Sequence, residues 1–301
     1  MSKSLGNVIA PEDILKKYGA DILRIWVASS NYAEDLRIDY GILDQHADSY
    51  RKIRNTFRYI LGNLNDEFDL VDLNKLEIRD LPELEQFILH KIYLIDLNFK
   101  KNFRNYDFHN LYKELLNFCT ADLSAFYFDI RKDTLYCEPK SSKKRKSTTL
   151  VLKIILNALL NWFAPILSFT TEEIFKLITN KKSIHLENFI DFPNNFKNDK
   201  LFSKWRELIE LRNVCNLQIE KQRAEKIIGS SLESELRIKL SNDKINLFKD
   251  VDFAEICITS LATVEKSEND LIEVKAIKAQ GVKCPVCWKI SPVSCIRHGT
   301  A

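Results

Sequence analysis

Apolar residues recur at steps of three and four through most of the first 180 positions. Tyr50, Ile53, Phe57, Ile60 and Leu64 form one such stripe, while Arg51, Lys52, Arg54 and Arg58 occupy the other faces of the same segment. This spacing puts the apolar side chains on one side of a helix and leaves the cations outside. Leu84, Ile88, Ile92, Ile95 and Phe99 repeat the stripe, and Pro82 with Glu83 suits its start. Phe108, Tyr112, Leu115, Cys119, Leu123 and Phe126 predict a third helix; Ile154, Ala158 and Trp162 predict a fourth, ended or kinked by Pro165. Thr170 with Glu173 predicts a capping box for a last helix through Ile178. Ahead of them, Ile22, Ile25 and Trp26 mark a short amphipathic helix. All these stripes read as core, and an antiparallel helical bundle buries them economically.

The pattern changes after Lys181. Ser183 to Leu186 reads as short and extended, and residues 191–198 form a linker rich in Pro and Asn. Leu201, Trp205, Leu208, Leu211, Cys215 and Ile219 predict another long helix, ending near Lys226. Beyond it, Leu236, Ile238 and Leu240 alternate with Arg237 and Lys239; Ile256 and Ile258 flank Cys257; Ile272, Val274 and Ala276 alternate with Glu273 and Lys275. A period of two predicts strands, hence a small α+β unit after the helix. The expected fold is mainly α, with parts at 1–35 (a connecting segment), 36–180 (the bundle), 181–280 (linker, long helix and α+β unit) and 281–301 (a cysteine-rich end).

Composition narrows this picture. Only 7 Gly and 7 Pro in 301 residues favour long helices over a turn-rich β architecture. No apolar run reaches the roughly 18 residues of a membrane span, which predicts a cytoplasmic protein. The net charge of +3 hides 45 cations against 42 acids, so only local clustering can announce a polyanionic partner. Such a cluster stands between the third and fourth helices, where Lys140, Lys143, Lys144, Arg145 and Lys146 fall within seven residues. A solvated loop and a phosphate-backbone contact both suit that composition.

Two stretches carry candidate chemistry. The first is Met1-Ser2-Lys3-Ser4-Leu5-Gly6-Asn7, where small hydroxyls surround one ammonium ahead of a helix starting at Pro11. A flexible terminus and a loop that meets a polyphosphate both fit. The second is Cys284-Pro285-Val286-Cys287-Trp288 followed by Cys295-Ile296-Arg297-His298. Each pair has two intervening residues, so two ligands from one turn reach one ion, and four thiolate or imidazole donors suit a closed, structural zinc site. Cys119, Cys137, Cys215 and Cys257 lie scattered among apolar residues and read as small core or surface residues.

The opening residues and Tyr18-Gly19-Ala20-Asp21-Ile22-Leu23-Arg24-Ile25-Trp26 resemble the segment that holds and follows the KMSKS loop of class I aminoacyl-tRNA synthetases. Residues 50–64, Phe126 to Asp133 with Leu135-Tyr136-Cys137, and Glu225 to Glu233 narrow the resemblance to the isoleucyl-tRNA synthetases, and Cys-x-x-Cys-Trp is similar to their zinc knuckle. The resemblance implies ligation of isoleucine to its tRNA with ATP and Mg2+, and a monomer. It implies that Lys3 meets the ATP phosphates as the catalytic lysine, that Ser2 and Ser4 shape its loop, and that the bundle, with Arg51, Arg54 and Arg58 as candidates, receives the anticodon stem-loop. It also implies that Cys284, Cys287, Cys295 and His298 hold structural Zn2+, although the family commonly has Cys where His298 stands and a longer gap between the ligand pairs. The chain is expected to be a carboxy-terminal piece beginning inside the KMSKS loop and unable to form the adenylate alone. The alternatives are a stand-alone tRNA-binding module, a piece of a valyl- or leucyl-type enzyme, and a zinc-stabilised helical interaction protein.

Overall fold

The computed structural model describes residues 9–64, 68, 71–268, 271–295 and 297–299. Ser2, Lys3 and Ser4 lie outside the described residues. The chain divides into two compact units, Met1–Asp129 with Lys140–Lys197, and Ile130–Pro139 with Asn198–Ala301.

The first unit is helical. α1 (Pro11–Tyr18) opens with Pro at its start, acids in its first turn and lysines in its last, each placed as the helix dipole favours. α2 (Ala20–Ser29) follows across Gly19, whose φ of 84° is a backbone conformation that glycine adopts without steric cost. The bundle proper uses α3 (Tyr40–Leu64), α4 (Glu83–Arg104), α5 (Phe108–Asn117), α7 (Lys143–Phe163) and α8 (Ser168–Ile178). α3 begins ten residues before the apolar stripe that predicted it, because Leu43 and Ala47 extend the buried face backwards. After α5 the helix widens into a π-helical stretch over Phe118–Phe128, and the next element in the chain, α6 (Asp129–Cys137), belongs from Ile130 onward to the second unit. Within that stretch Ser124 Oγ donates to the Cys119 carbonyl at 2.7 Å, a side-chain bond to backbone of the kind that accompanies departures from α geometry.

The bundle core is aromatic, with Phe57, Phe87, Phe99, Phe118, Tyr127, Trp162 and Phe163 almost fully enclosed. Several of its buried polar groups are paired, as low dielectric favours. Glu85 accepts from Tyr127 Oη at 3.2 Å and from Thr148 Oγ1 at 3.0 Å, while Trp162 Nε1 donates to Asp96 at 3.1 Å. α8 departs from the expected capping box. It starts at Ser168 with no side-chain cap from its own preceding residue. Asp21 of α2 supplies the acceptors instead, taking Phe169 N–H at 3.2 Å and Thr170 N–H at 2.8 Å. The segment 183–186 is a single 3-10 turn over Ile184–Leu186 rather than extended chain.

The second unit holds the long helix α9 (Asp199–Ala224) and a three-stranded sheet ordered β2-β1-β3. Central β1 (Ser234–Leu240) buries Ser234, Leu236, Ile238 and Leu240 on one face, the alternation that predicted it. It pairs in parallel with β2 (Leu261–Lys266) through a crossover containing α10 (Asn242–Leu247) and α11 (Phe253–Ile256), and antiparallel with β3 (Glu273–Lys278). The strand expected around Cys257 is instead the end of α11, followed by Ile258 at φ 57°. A hairpin of β4 (Val282–Lys283) and β5 (Ile290–Ser291) closes the unit. Gly281, at φ 125°, begins that hairpin where an added Cβ would lie 2.0 Å from the Ser291 carbonyl oxygen, so only glycine fits.

Candidate functional site

Cys284, Cys287, Cys295 and His298 converge, with one donor atom from each lying within 4.8 Å of all the others. The hairpin places the first pair. Cys284 N–H donates to the Lys289 carbonyl at 2.9 Å, and Trp288 N–H, at a φ of 63°, returns to the Cys284 carbonyl at 3.0 Å. That tight turn points Cys284 and Cys287 to one side, and both are buried. A second turn brings His298 N–H to the Cys295 carbonyl at 3.1 Å, which presents the other pair.

The spacing of the donors answers whether an ion fits. A tetrahedral zinc with Zn–S near 2.3 Å and Zn–N near 2.0–2.1 Å separates two sulfurs by about 3.8 Å and a sulfur from a nitrogen by about 3.5 Å. Cys287 Sγ and Cys295 Sγ are 3.8 Å apart, and His298 Nδ1 is 3.4 Å from Cys284 Sγ and 3.5 Å from Cys295 Sγ. Burial opposes the Cys295 thiolate, but the backbone N–H groups of His298 and Arg297 outweigh it, and the thiol sits below its usual pKa.

Contacts from residues distant in the chain surround this cluster. His298 Nε2 lies 3.2 Å from the Cys137 carbonyl at the end of α6, leaving Nδ1 for the sulfur side. Arg297 Nη1 donates to Asp133 at 2.6 Å on the same helix, and Cys137 Sγ lies 3.6 Å from the Val286 carbonyl. Ile290 N–H donates to Ser260 Oγ at 2.6 Å, which ties the hairpin to the start of β2. Outer contacts of this kind fix a histidine's tautomer and ring orientation in metal sites. No spacing rule pointed to them, because Cys137 and His298 stand 161 residues apart.

The basic residues fall in separate places. Arg51, Arg54 and Arg58 are exposed along α3, with Arg51 paired to Asp48. Of the basic cluster, only Lys140 lies in a loop. Lys143, Lys144, Arg145 and Lys146 form the first turn of α7, capped by Ser142 Oγ accepting from Arg145 N–H at 3.4 Å. Among the described residues no helix is long and apolar enough to cross a membrane.

Known proteins are similar to this sequence. Residues 85–240 match the family described as the anticodon-binding domain of tRNA ligase, and residues 1–39 match tRNA synthetases class I (I, L, M and V). The isoleucine–tRNA ligase of Pelagibacter ubique (strain HTCC1062) is 66% identical over 299 residues, covering 99% of this chain and 33% of that protein. Those of Agrobacterium fabrum and Petrotoga mobilis are 40% and 39% identical, over 96% and 97% of this chain and 31% and 33% of theirs. The chain thus spans about a third of the length of the curated relatives it matches. With more than half of its residues inside the matched domain and a helical bundle built over them, the chain belongs to the anticodon-binding domain family of the tRNA ligases.

Proposed function

We propose that this chain is the carboxy-terminal, tRNA-binding part of an isoleucine–tRNA ligase, in which isoleucine is activated with ATP and Mg2+ and transferred to its tRNA. The observation that carries this reading is the 66% identity to an isoleucine–tRNA ligase along 99% of the chain, together with the anticodon-binding match over residues 85–240. The bundle receives the anticodon arm, and its partner is isoleucine tRNA. The protein works as a cytoplasmic monomer.

Lys3 is the catalytic lysine of this proposal. A positioned ammonium lowers the cost of charge building on phosphate oxygens as pyrophosphate leaves. Ser2 and Ser4 hold the loop that carries it. Zn2+ is the structural ion held by Cys284, Cys287, Cys295 and His298, and its donor spacing supports that assignment. When bound, zinc supplies cross-linking of a hairpin too small to hold itself.

Binding of the 301-residue chain to isoleucine tRNA tests the reading. Preference for that transcript over one carrying a different anticodon supports it, and equal binding to both overturns the assignment to isoleucine. In a ligase carrying this segment, Lys3→Ala should lower isoleucine-dependent pyrophosphate exchange by roughly 100-fold or more while leaving tRNA affinity unchanged. Unchanged exchange removes Lys3 from the catalytic role.

A further inference from the structure

The far end of α3 and the start of α7 enclose a cleft of about 260 Å3. Its walls carry Asn63, Lys140, Arg145, Lys146, Thr149 and Lys153, so four cations and no acid line it among the described residues. Lys140, Lys146 and Lys153 make no ion pair among the described residues. These three lysines around one small volume repel one another, and an anion in the cleft relieves that repulsion.

The way α7 is charged sharpens the point. α1, α4 and α9 follow the helix dipole, with acids in the first turn and cations in the last. α7 inverts this: its first turn holds Lys143, Lys144, Arg145 and Lys146, with no acid. A local rule broken in this way is expected at functional surfaces. The amides of that turn are partly occupied, since Ser142 Oγ takes Arg145 N–H and the Ser142 carbonyl takes Lys146 N–H. The attraction therefore resides in the side chains.

The arrangement also says what kind of anion fits. Lys146 and Lys153 stand seven residues apart on one face of α7, about 10 Å along the axis at 1.5 Å per residue. A row of cations at that spacing follows an extended polyanion better than it grips one small ion. The neutral groups offer little base reading, because the Asn63 amide already donates to the Tyr59 carbonyl at 2.8 Å. We infer that this cleft seats the phosphodiester backbone of the bound RNA, a sequence-independent contact that sets where the RNA lies on the bundle. The inference rests on the tRNA-binding reading above and names the surface that does part of it.

The test uses the full chain carrying K146Q, K153Q or both, with K113Q, an exposed lysine of α5, as the control. Affinity for isoleucine tRNA and for a non-cognate transcript is measured from low to moderate salt, with circular dichroism confirming the fold. The double variant should weaken binding of both transcripts by the same factor. It should also flatten the slope of log affinity against log salt by about 1.4 to 1.8, the share of two phosphate contacts, while K113Q leaves the slope unchanged. If wild type binds tRNA and the double variant matches it in affinity and slope, the cleft is not a contact, and the tRNA reading stands. A loss confined to one transcript, or an equal loss in K113Q, overturns it too. If wild type binds neither transcript, the inference and the functional reading fall together.

Discussion

His298 Nε2 meets the backbone carbonyl of Cys137 at 3.2 Å, so the last ligand of the cysteine cluster is held by a helix 161 residues earlier in the chain. That contact leaves Nδ1 facing the sulfurs of Cys284 and Cys295. A metal site with an oriented ligand loses roughly 10- to 100-fold in affinity when the orienting contact goes. His298→Cys should therefore still bind about one zinc per chain, because four donors remain, yet release it to a competing chelator roughly 10-fold more readily. His298→Ala should lose the metal altogether. Equal release from wild type and His298→Cys would show that the carbonyl contact does not orient the ligand.

Removing the metal should loosen more than the hairpin. Arg297 to Asp133, His298 to Cys137 and Cys137 to Val286 all join the cluster to α6. Few apolar side chains are buried between residues 281 and 299, where Val282, Val286, Trp288 and Val293 are exposed, so on the proposed zinc assignment the ion supplies much of the local stability. Chelation should speed amide hydrogen exchange at residues 282–298 and at 133–137, while β1, whose apolar face is buried independently of the ion, stays protected. Unchanged exchange at 133–137 would mean that α6 does not depend on the ion.

The parts legible in the sequence were those that repeat. A 3.6-residue stripe announces α3, α4 and α9 because each buries one face along its length. The Cys-x-x-Cys and Cys-x-x-His pairs announce ligand turns because two ligands on one turn need no distant information. What escaped was set by partners far along the chain. β2 was missed since Leu261 and Val264 stay largely exposed and its faces do not alternate. Ile256, Cys257 and Ile258 imitated a strand because a buried helix end followed by a left-handed turn has the same apolar run. Thr170 and Glu173 had the spacing of a capping box, but Asp21 reached the helix end first.

That replacement makes Asp21 a strong point of the first unit. It is 7% exposed and accepts three hydrogen bonds at the start of α8, the third from Thr170 Oγ1 at 2.6 Å. Asp21→Ala strands two backbone N–H groups in a part-buried site and should destabilise the unit by about 2–3 kcal/mol. Asp21→Asn keeps one good acceptor and should cost about half as much. Thermal unfolding of both variants checks the order. A loss below about 0.5 kcal/mol for Asp21→Ala would show that water or a neighbouring group caps α8 instead.

Glu172, one residue before the expected box partner, faces the other way along the chain. Its carboxylate accepts from Ser183 Oγ at 2.9 Å and Ile184 N–H at 3.0 Å, and pairs with Lys176 at 3.0 Å. Burial pushes its pKa up, but the bonds from Lys176, Ser183 and Ile184 outweigh this and hold it below the ordinary 4.5. A carboxylate depressed by folding is protonated more readily in the unfolded chain, so stability rises with pH through this window. Its contribution is complete above about 4.5 and is lost as pH falls through the lower folded value. Glu172→Gln cannot ionise, so its thermal midpoint should lie below wild type at pH 7 and approach it on acidification below 4.5. A gap that stays constant from pH 7 to pH 3 would assign Glu172 a packing role, with no part for its charge.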